Sequence, residues 1–277
     1  METYRKKLRG DAEYAAFVPD RLSTLQLDMS SRTACIAETE AALERLNASA
    51  ETMTAEQIRT RINLEAEDSW MLSAGKYFSP FGLTFYTNGL TDEERQEIAH
   101  LAEASIYAIE ALEELPLCGR LLRNAHYLMC RGPRYEKRYP GEFRTSPVWI
   151  GRRGCTLREA VFVAPVDEVM IDAFSDLEQF IHQESDLHPL VRAALTHYQF
   201  ETIRPFIDAN GRVGRLLNTL FLLESGMIRQ PVLRWSQALG RFGDRYCMEL
   251  QRVRETGSYD AWIDFYLLSV KEAAALC

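Results

Sequence analysis

The sequence predicts a mainly α protein with one small β-hairpin near its middle, and three observations carry that prediction. Apolar residues recur at near-helical spacing over long stretches, as Ile36, Leu43 and Leu46 do within "TACIAETEAALERLN". Helix-start signals precede several of those stretches: Thr54 with Glu56 and Gln57 behind it, and Thr91 followed at once by acids. The texture changes once, in "RGPRYEKRYPGEFRTSPVWIGRRG", which is rich in Gly, Pro and Arg and holds short extended pieces.

Taken in order, residues 1–20 read as a polar arm ending at "FVPD". Helical sequence follows from Leu22 to Asn47, and a short helix capped by Thr54 runs through Ala66. The segment 77–90, "YFSPFGLTFYTNGL", mixes aromatics with Pro, Gly and Asn-Gly and reads as an irregular loop or short hairpin. A helix capped by Thr91 comes next, then another from Cys118 to Met129. Extended pieces at 143–145 and 148–150 pair with "AVFVAP" at 160–165 as the hairpin. The rest is helical: 168–183, with Pro189 in the first turn of 188–203, then 211–226, 235–254 and 258–275.

Composition narrows the class. The chain has 277 residues, 47% of them apolar and 26% charged, as in an ordinary globular protein. A net charge of −8 argues against nucleic acid as the main partner, so any anion site must be a local concentration of positive charge. Six scattered cysteines form no CxxC pair, and no apolar run approaches the roughly 18 residues of a membrane span. These features, with a start that does not read as a secretory signal, predict a reduced, cytoplasmic protein without a membrane partner.

"FETIRPFIDANGRVGR", from Phe200 to Arg215, carries the chemistry. It closes one core helix and opens the next, whose first backbone N–H groups and positive dipole end favour an anion. Asn210, Gly211, Arg212 and Arg215 stand beside that end, with the two arginines three apart and so on one side of the first turn. Asp208 lies just outside, where one carboxylate plus phosphate oxygens would suit Mg²⁺. The same residues also read as a capped helix start whose arginines pair with surface acids.

"HYQFETIRPFIDANGRVGR" closely resembles the signature of Fic (filamentation induced by cAMP) proteins, HxFx(D/E)(G/A)N(G/K)R. Flanking segments are similar too and in the right order: "PGEFRTSPVWIG", "FVAP", "LVRAALTHYQFETI", "PVLRWSQAL" and "AWIDFYLLSV". The resemblance spans about 118–275, which implies a Fic-type helical bundle core over 118–277. It leaves 1–117 as an N-terminal arm and helical region with an insertion at about 50–90; "YAAFVPDRL" resembles the arm of self-inhibited Fic proteins.

The resemblance implies transfer of AMP from ATP to a target hydroxyl with Mg²⁺. Asp208 would bind the metal, Asn210, Gly211 and Arg212 the α- and β-phosphates, and Arg215, after Gly214 in the common GR extension, the γ-phosphate. Phe206 would anchor the loop. The hairpin, with Val148, Trp149 and Ile150 on one side and Val161, Phe162 and Val163 on the other, would be the flap that takes a target segment as an added strand. Self-association is left open.

The departures matter as much. Arg204 stands where the family has its general-base His, and a guanidinium has no acceptor lone pair and a pKa above about 12. Losing a general base costs about 10²- to 10⁴-fold in rate. His197 reads as a packing or hydrogen-bonding core residue. Tyr246-Cys247 replaces a frequent Tyr-Tyr pair near the adenine site. Self-inhibited relatives carry (S/T)xxxE(G/N), whose Glu pairs with the arginine matching Arg215; "ACIAET" offers Glu38, with Ala34 and Thr39 departing from the pattern. The expectation is a nucleotide-binding protein whose transfer activity is lost or altered. An active transferase with a base from elsewhere and a non-catalytic partner-binding scaffold are the other readings.

Overall fold

The computed structural model describes residues 3–7, 13–76, 89–152 and 154–276, the first of these as backbone. The loop or hairpin expected at 77–90 falls outside the described residues except for its last two. The architecture is mainly α, as the periodicity predicts, and among the described residues no helix is long and apolar enough to cross a membrane.

The N-terminal arm is a correction to the sequence reading. It contains β1 (Thr3–Lys7) and β2 (Glu13–Phe17), paired antiparallel with Thr3 opposite Phe17. The chain after it is tied down: Leu22 N–H and Ser23 Oγ each donate to Asp176 at 2.8 Å, and Gln199 donates to the Asp20 carbonyl at 2.9 Å. These polar residues are tethers.

Three helices follow: α1 (Thr33–Ala50), α2 (Ala55–Ser73) and α3 (Asp92–Ala111). Thr54 and Gln57 form a reciprocal capping box, as do Thr91 and Glu94, each satisfying two helix-start N–H groups. α2 runs on to Ser73 rather than stopping near Ala66, because its last turns bury Trp70 and Met71. Trp70 also donates its indole N–H to Glu97 on α3 at 2.9 Å. Polar spacing made that turn look like a loop; packing against α3 keeps it helical.

α4 (Gly119–Met129) leads to the flap, β3 (Trp149–Ile150) and β4 (Phe162–Val163), antiparallel with Trp149 opposite Val163. The flap is held from the N-terminal side by Phe17, whose ring lies 5.6 Å from that of Phe162, and from below by Arg254, 3.9 Å over the same ring. α5 (Asp167–His182) precedes the central pair, α6 (Pro189–Ile203) and α7 (Asn210–Glu224). Pro189 occupies the first turn of α6, where its missing N–H costs nothing. At Gly214 the two helices nearly touch: a Cβ there would lie 2.5 Å from Glu201 Oε1.

The helix expected over 235–254 is two: α8 (Trp235–Phe242) and α9 (Arg245–Thr256), broken at Gly243, whose φ of 58° and ψ of −132° suit glycine alone. α10 (Asp260–Ala275) closes the fold by packing on α1, α6 and α8. One buried cluster joins Leu43 of α1, Trp70 of α2, Leu101 of α3, Leu217 of α7 and Phe265 of α10. The sequence boundary at residue 117 therefore does not cut the core.

The expected extended piece at 143–145 is instead organised around Arg144, which is 2% exposed. Its guanidinium donates to the carbonyls of Arg204 at 2.7 Å, Ile203 at 3.0 Å, Pro165 at 2.6 Å and Ser146 at 3.1 Å. A cation is well placed at the negative end of α6, though burial, followed by the nearby Arg204 charge, pushes its pKa down to about 10. Replacing it with Met orphans several buried carbonyls, at about 1–3 kcal/mol each, partly offset by removing a buried charge. Arg144→Met should lose about 3 kcal/mol in denaturant unfolding, and a loss under about 1 kcal/mol would show that the carbonyl network is dispensable.

Candidate functional site

The link between α6 and α7 is bracketed by two left-handed residues that are not glycine, Arg204 at φ 45° and Ala209 at φ 60°. Such conformations cost about 1 kcal/mol or more each and persist only when neighbours enforce them. Here the neighbours are identifiable. Asn210 accepts the Phe206 N–H at 2.9 Å and donates to the Phe206 carbonyl at 2.7 Å, so its amide clamps the loop. Phe206 is fully buried and stacks on His126 at 3.9 Å. His126 accepts the Gly141 N–H at Nδ1 (2.8 Å) and so carries its proton on Nε2, which donates to the Asp208 carbonyl at 3.3 Å.

The loop and the start of α7 form one wall of a cleft of about 350 Å³. The end of α2 and the α8–α9 junction complete it. At the α7 start the first helical hydrogen bond is Val213 N–H to the Ala209 carbonyl. The N–H groups of Asn210, Gly211 and Arg212 thus lie outside the helical ladder.

Five arginines surround this helix end. Arg212, 4% exposed, donates to the Tyr135 hydroxyl at 2.9 Å, while its buried Nε and Nη1 have no hydrogen-bond partner. Arg215 is held by α2: Nε donates to Ser69 Oγ at 2.9 Å, and Nη2 to the Ser69 carbonyl at 2.8 Å and Ser73 Oγ at 2.6 Å. Arg204 lines the cleft and turns one arm back to Glu201, 3.3 Å away on its own helix. Arg138 donates to Asp208 Oδ2 at 2.9 Å, and Arg134 lies 4.0 Å from the same oxygen. The other oxygen of Asp208 accepts the Ala209 N–H at 2.6 Å, with Arg212 at 4.0 Å.

The model of the Fic/DOC family matches residues 116–222, a span that contains β3 and β4, α6, the loop and α7 up to Leu222. The chain carries a Fic/DOC domain. Two curated relatives, protein adenylyltransferase fic-1 of Caenorhabditis elegans and protein adenylyltransferase Fic of Drosophila willistoni, are 34% identical over 88 residues and 39% over 89. The matched stretch is 31% of this chain and only 16% of either relative. Among solved structures, a Fic family protein from Desulfovibrio desulfuricans G20 superimposes with a TM-score of 0.66 at 24% identity, covering 88% of this chain and 74% of that one. Fic-1 (aa134 - 508) from C. elegans superimposes at 0.56 and 19% identity, covering 89% and 72%. These likenesses show the fold, a mainly α, AMP-transferase-like one.

With the Fic/DOC frame in place, the residues expected at its site can be located. Arg204, Asp208, Asn210, Gly211, Arg212 and Arg215 all line the one cleft. Asn210 does so with its amide committed to the loop backbone, and Gly214 lies behind, at the helix crossing. Asp208 does not present an open metal ligand: both oxygens already accept donors, and three guanidinium groups stand within 4.0 Å of them. Mg²⁺ takes oxygens at about 2.1 Å in a near-octahedral shell, and the guanidinium groups around Asp208 both repel such an ion and crowd that shell. The residues present here do not fit it.

Glu38 is corrected. Its side chain, 64% exposed, pairs with Lys271 at 3.0 Å, while Arg215 is held by α2. The segment that reaches Arg215 is "SWMLSA", Ser69 to Ala74. It keeps the spacing of (S/T)xxxE(G/N) but has Ser73 where the Glu belongs. Requiring a carboxylate hid it in the sequence; allowing a neutral acceptor at that position would have found it. It also recasts part of the region read as an insertion, because α2 packs on α3, α7 and α8.

Flap residues Trp149 and Val161 are 37% and 65% exposed, whereas Phe162 is buried. His197 is a core histidine, as its position in α6 predicts: Nδ1–H donates to the Gly214 carbonyl at 3.0 Å, and Nε2 accepts from the Tyr246 hydroxyl at 2.8 Å.

Burial lowers both His197 and His126 to about 4, from an ordinary 6.5. The stability they contribute, on the order of 3 kcal/mol each, is complete above pH 6.5 and is lost as pH falls toward about 4. Glu65 of α2 acts oppositely. Burial and then the Asp68 charge raise it to about 8, while Ser236 donates both its N–H and its hydroxyl to it. Its contribution is present below 4.5 and lost as pH rises to about 8. Unfolding midpoints followed from pH 6.5 down to 4.5 should therefore fall more steeply for Glu65→Gln than for the parent. Parallel curves would refute the assignment of Glu65.

Proposed function

We propose that the cleft binds a nucleotide through its phosphates and that the protein has lost AMP transfer. The observation that carries this reading is the identity and setting of residue 204. A proton acceptor is needed beside the phosphate loop, and Arg204 supplies only donors there, one of them committed to Glu201. No imidazole stands in: both nitrogens of His197 and of His126 are engaged within the fold. Tyr246 lines the cleft, but burial raises its pKa well above the ordinary value, which leaves it protonated at neutral pH. Binding parts are retained: the α7 N-terminus, Gly211 with the Arg215 guanidinium close over it, and the Arg212 guanidinium.

In the same reading the flap docks a partner protein. β3 and β4 form a two-stranded sheet, so each keeps an edge outside the ladder to which an extended segment can add. Trp149 and Val161 supply exposed apolar surface beside it.

Incubated with α-labelled ATP and divalent cation, the parent protein should transfer no label to itself or to added protein. Arg204→His should transfer it, at least 10²-fold above the parent background. Label transferred by the parent overturns the reading. Ser73→Glu tests the binding half: a carboxylate against Arg215 competes with the ligand's phosphates and should weaken ATP binding about tenfold or more by calorimetry. Unchanged affinity would remove Arg215 from the site.

A further inference from the structure

We infer that this cleft holds its diphosphate ligand without a divalent cation, with Arg138 standing at Asp208 where a metal ion would bind. The inference rests on the nucleotide reading above and concerns what neutralises the phosphates.

Asp208 has the residue type and loop position for a metal, but its surroundings are those of an ion-pair centre. Oδ2 accepts Arg138 Nη1 at 2.9 Å, a normal charge-assisted distance, and Arg134 Nη2 lies 4.0 Å from the same oxygen. Oδ1 accepts the Ala209 N–H at 2.6 Å and has Arg212 Nη2 at 4.0 Å. A cation on Oδ2 would share it with Arg138 and stand near Arg134, and one on Oδ1 would share it with the Ala209 N–H and stand near Arg212. Because like charges at such distances repel strongly outside bulk water, they disfavour a divalent ion more than a monovalent one.

The charge a metal would bring is already present. Arg134, Arg138, Arg204, Arg212 and Arg215 gather at one helix end in a chain of net charge −8. Their acidic partners do not use up their donors. Glu97 is shared among Trp70 Nε1 at 2.9 Å, Arg134 at 2.8 Å and Arg212 at 4.0 Å. Arg212, buried and facing the cleft, has Nε and Nη1 without a hydrogen-bond partner, and so does Nε of Arg204. A buried guanidinium with idle donors is costly unless an acceptor arrives, and phosphate oxygens are acceptors that guanidinium groups match well. The position that holds the family's imidazole contributes a further cation here.

The test uses the full chain and titrates ADP by calorimetry in EDTA and again in excess MgCl₂. Affinity in EDTA within about threefold of that in Mg²⁺, or tighter, is expected. Asp208→Asn should leave the EDTA affinity unchanged or raise it, since it removes a competing carboxylate. Arg138→Gln, at a half-exposed position, bares Asp208 and should make binding Mg²⁺-dependent, with at least a fivefold gain on adding the metal. Binding by the parent that requires Mg²⁺ and falls tenfold in Asp208→Asn overturns the inference and leaves the nucleotide reading standing. No ADP binding in either buffer by a protein with a normal unfolding transition overturns both.

Discussion

The site depends on a short loop forced into a shape it would not choose. Arg204 and Ala209 are both left-handed, and neither is glycine. Arg144 holds one end by binding the carbonyls at the close of α6, and the Asn210 amide holds the other by closing on both backbone groups of Phe206. His126 supports the middle, stacked on Phe206 and bonded to the Asp208 carbonyl. These contacts aim the start of α7 into the cleft, so the arginines that follow inherit their placement from backbone geometry.

Arg144 also joins the flap to this loop, since it binds Pro165 at the foot of β4 as well as Ile203 and Arg204. A buried cation whose hydrogen bonds go to carbonyls keeps its charge at the negative end of a helix, with the Asp167 charge also favouring it. The cleft and the hairpin β3–β4 therefore share one buried residue.

α2 shows how a contact can persist while its chemistry changes. Its last turn reaches Arg215 with two hydroxyls and a carbonyl. Neutral acceptors satisfy a guanidinium without cancelling its charge, so Arg215 keeps its attraction for anions while its geometry is fixed. A carboxylate in that place would do both. Arg204 and Ser73 bring a guanidinium and a neutral hydroxyl to the cleft, neither of which adds negative charge there.

Much of this was legible from residues alone. Helix starts at Thr54 and Thr91 were readable because capping is local chemistry, and the loop from Phe200 to Arg215 because its residue types crowd into one turn. The break at Gly243 was not, since its residue type alone does not show the backbone angles it adopts, and the true end of α2 was not, since it is decided by what packs against it. The assignment of Glu38 failed for the same reason: pattern and charge pointed to it, but α1 packs on α10 and gives Glu38 to Lys271. By itself the sequence determined the helical class, the central hairpin, the crowding of Asp, Asn, Gly and Arg into one loop and the guanidinium at position 204, all of which depend on local order or residue identity. Only the tertiary structure decided which groups meet the arginines: Ser69 and Ser73 at Arg215, Asp208 at Arg138, Tyr135 at Arg212. Pairings across distant segments follow from how helices pack, and helix packing is a property of the whole core.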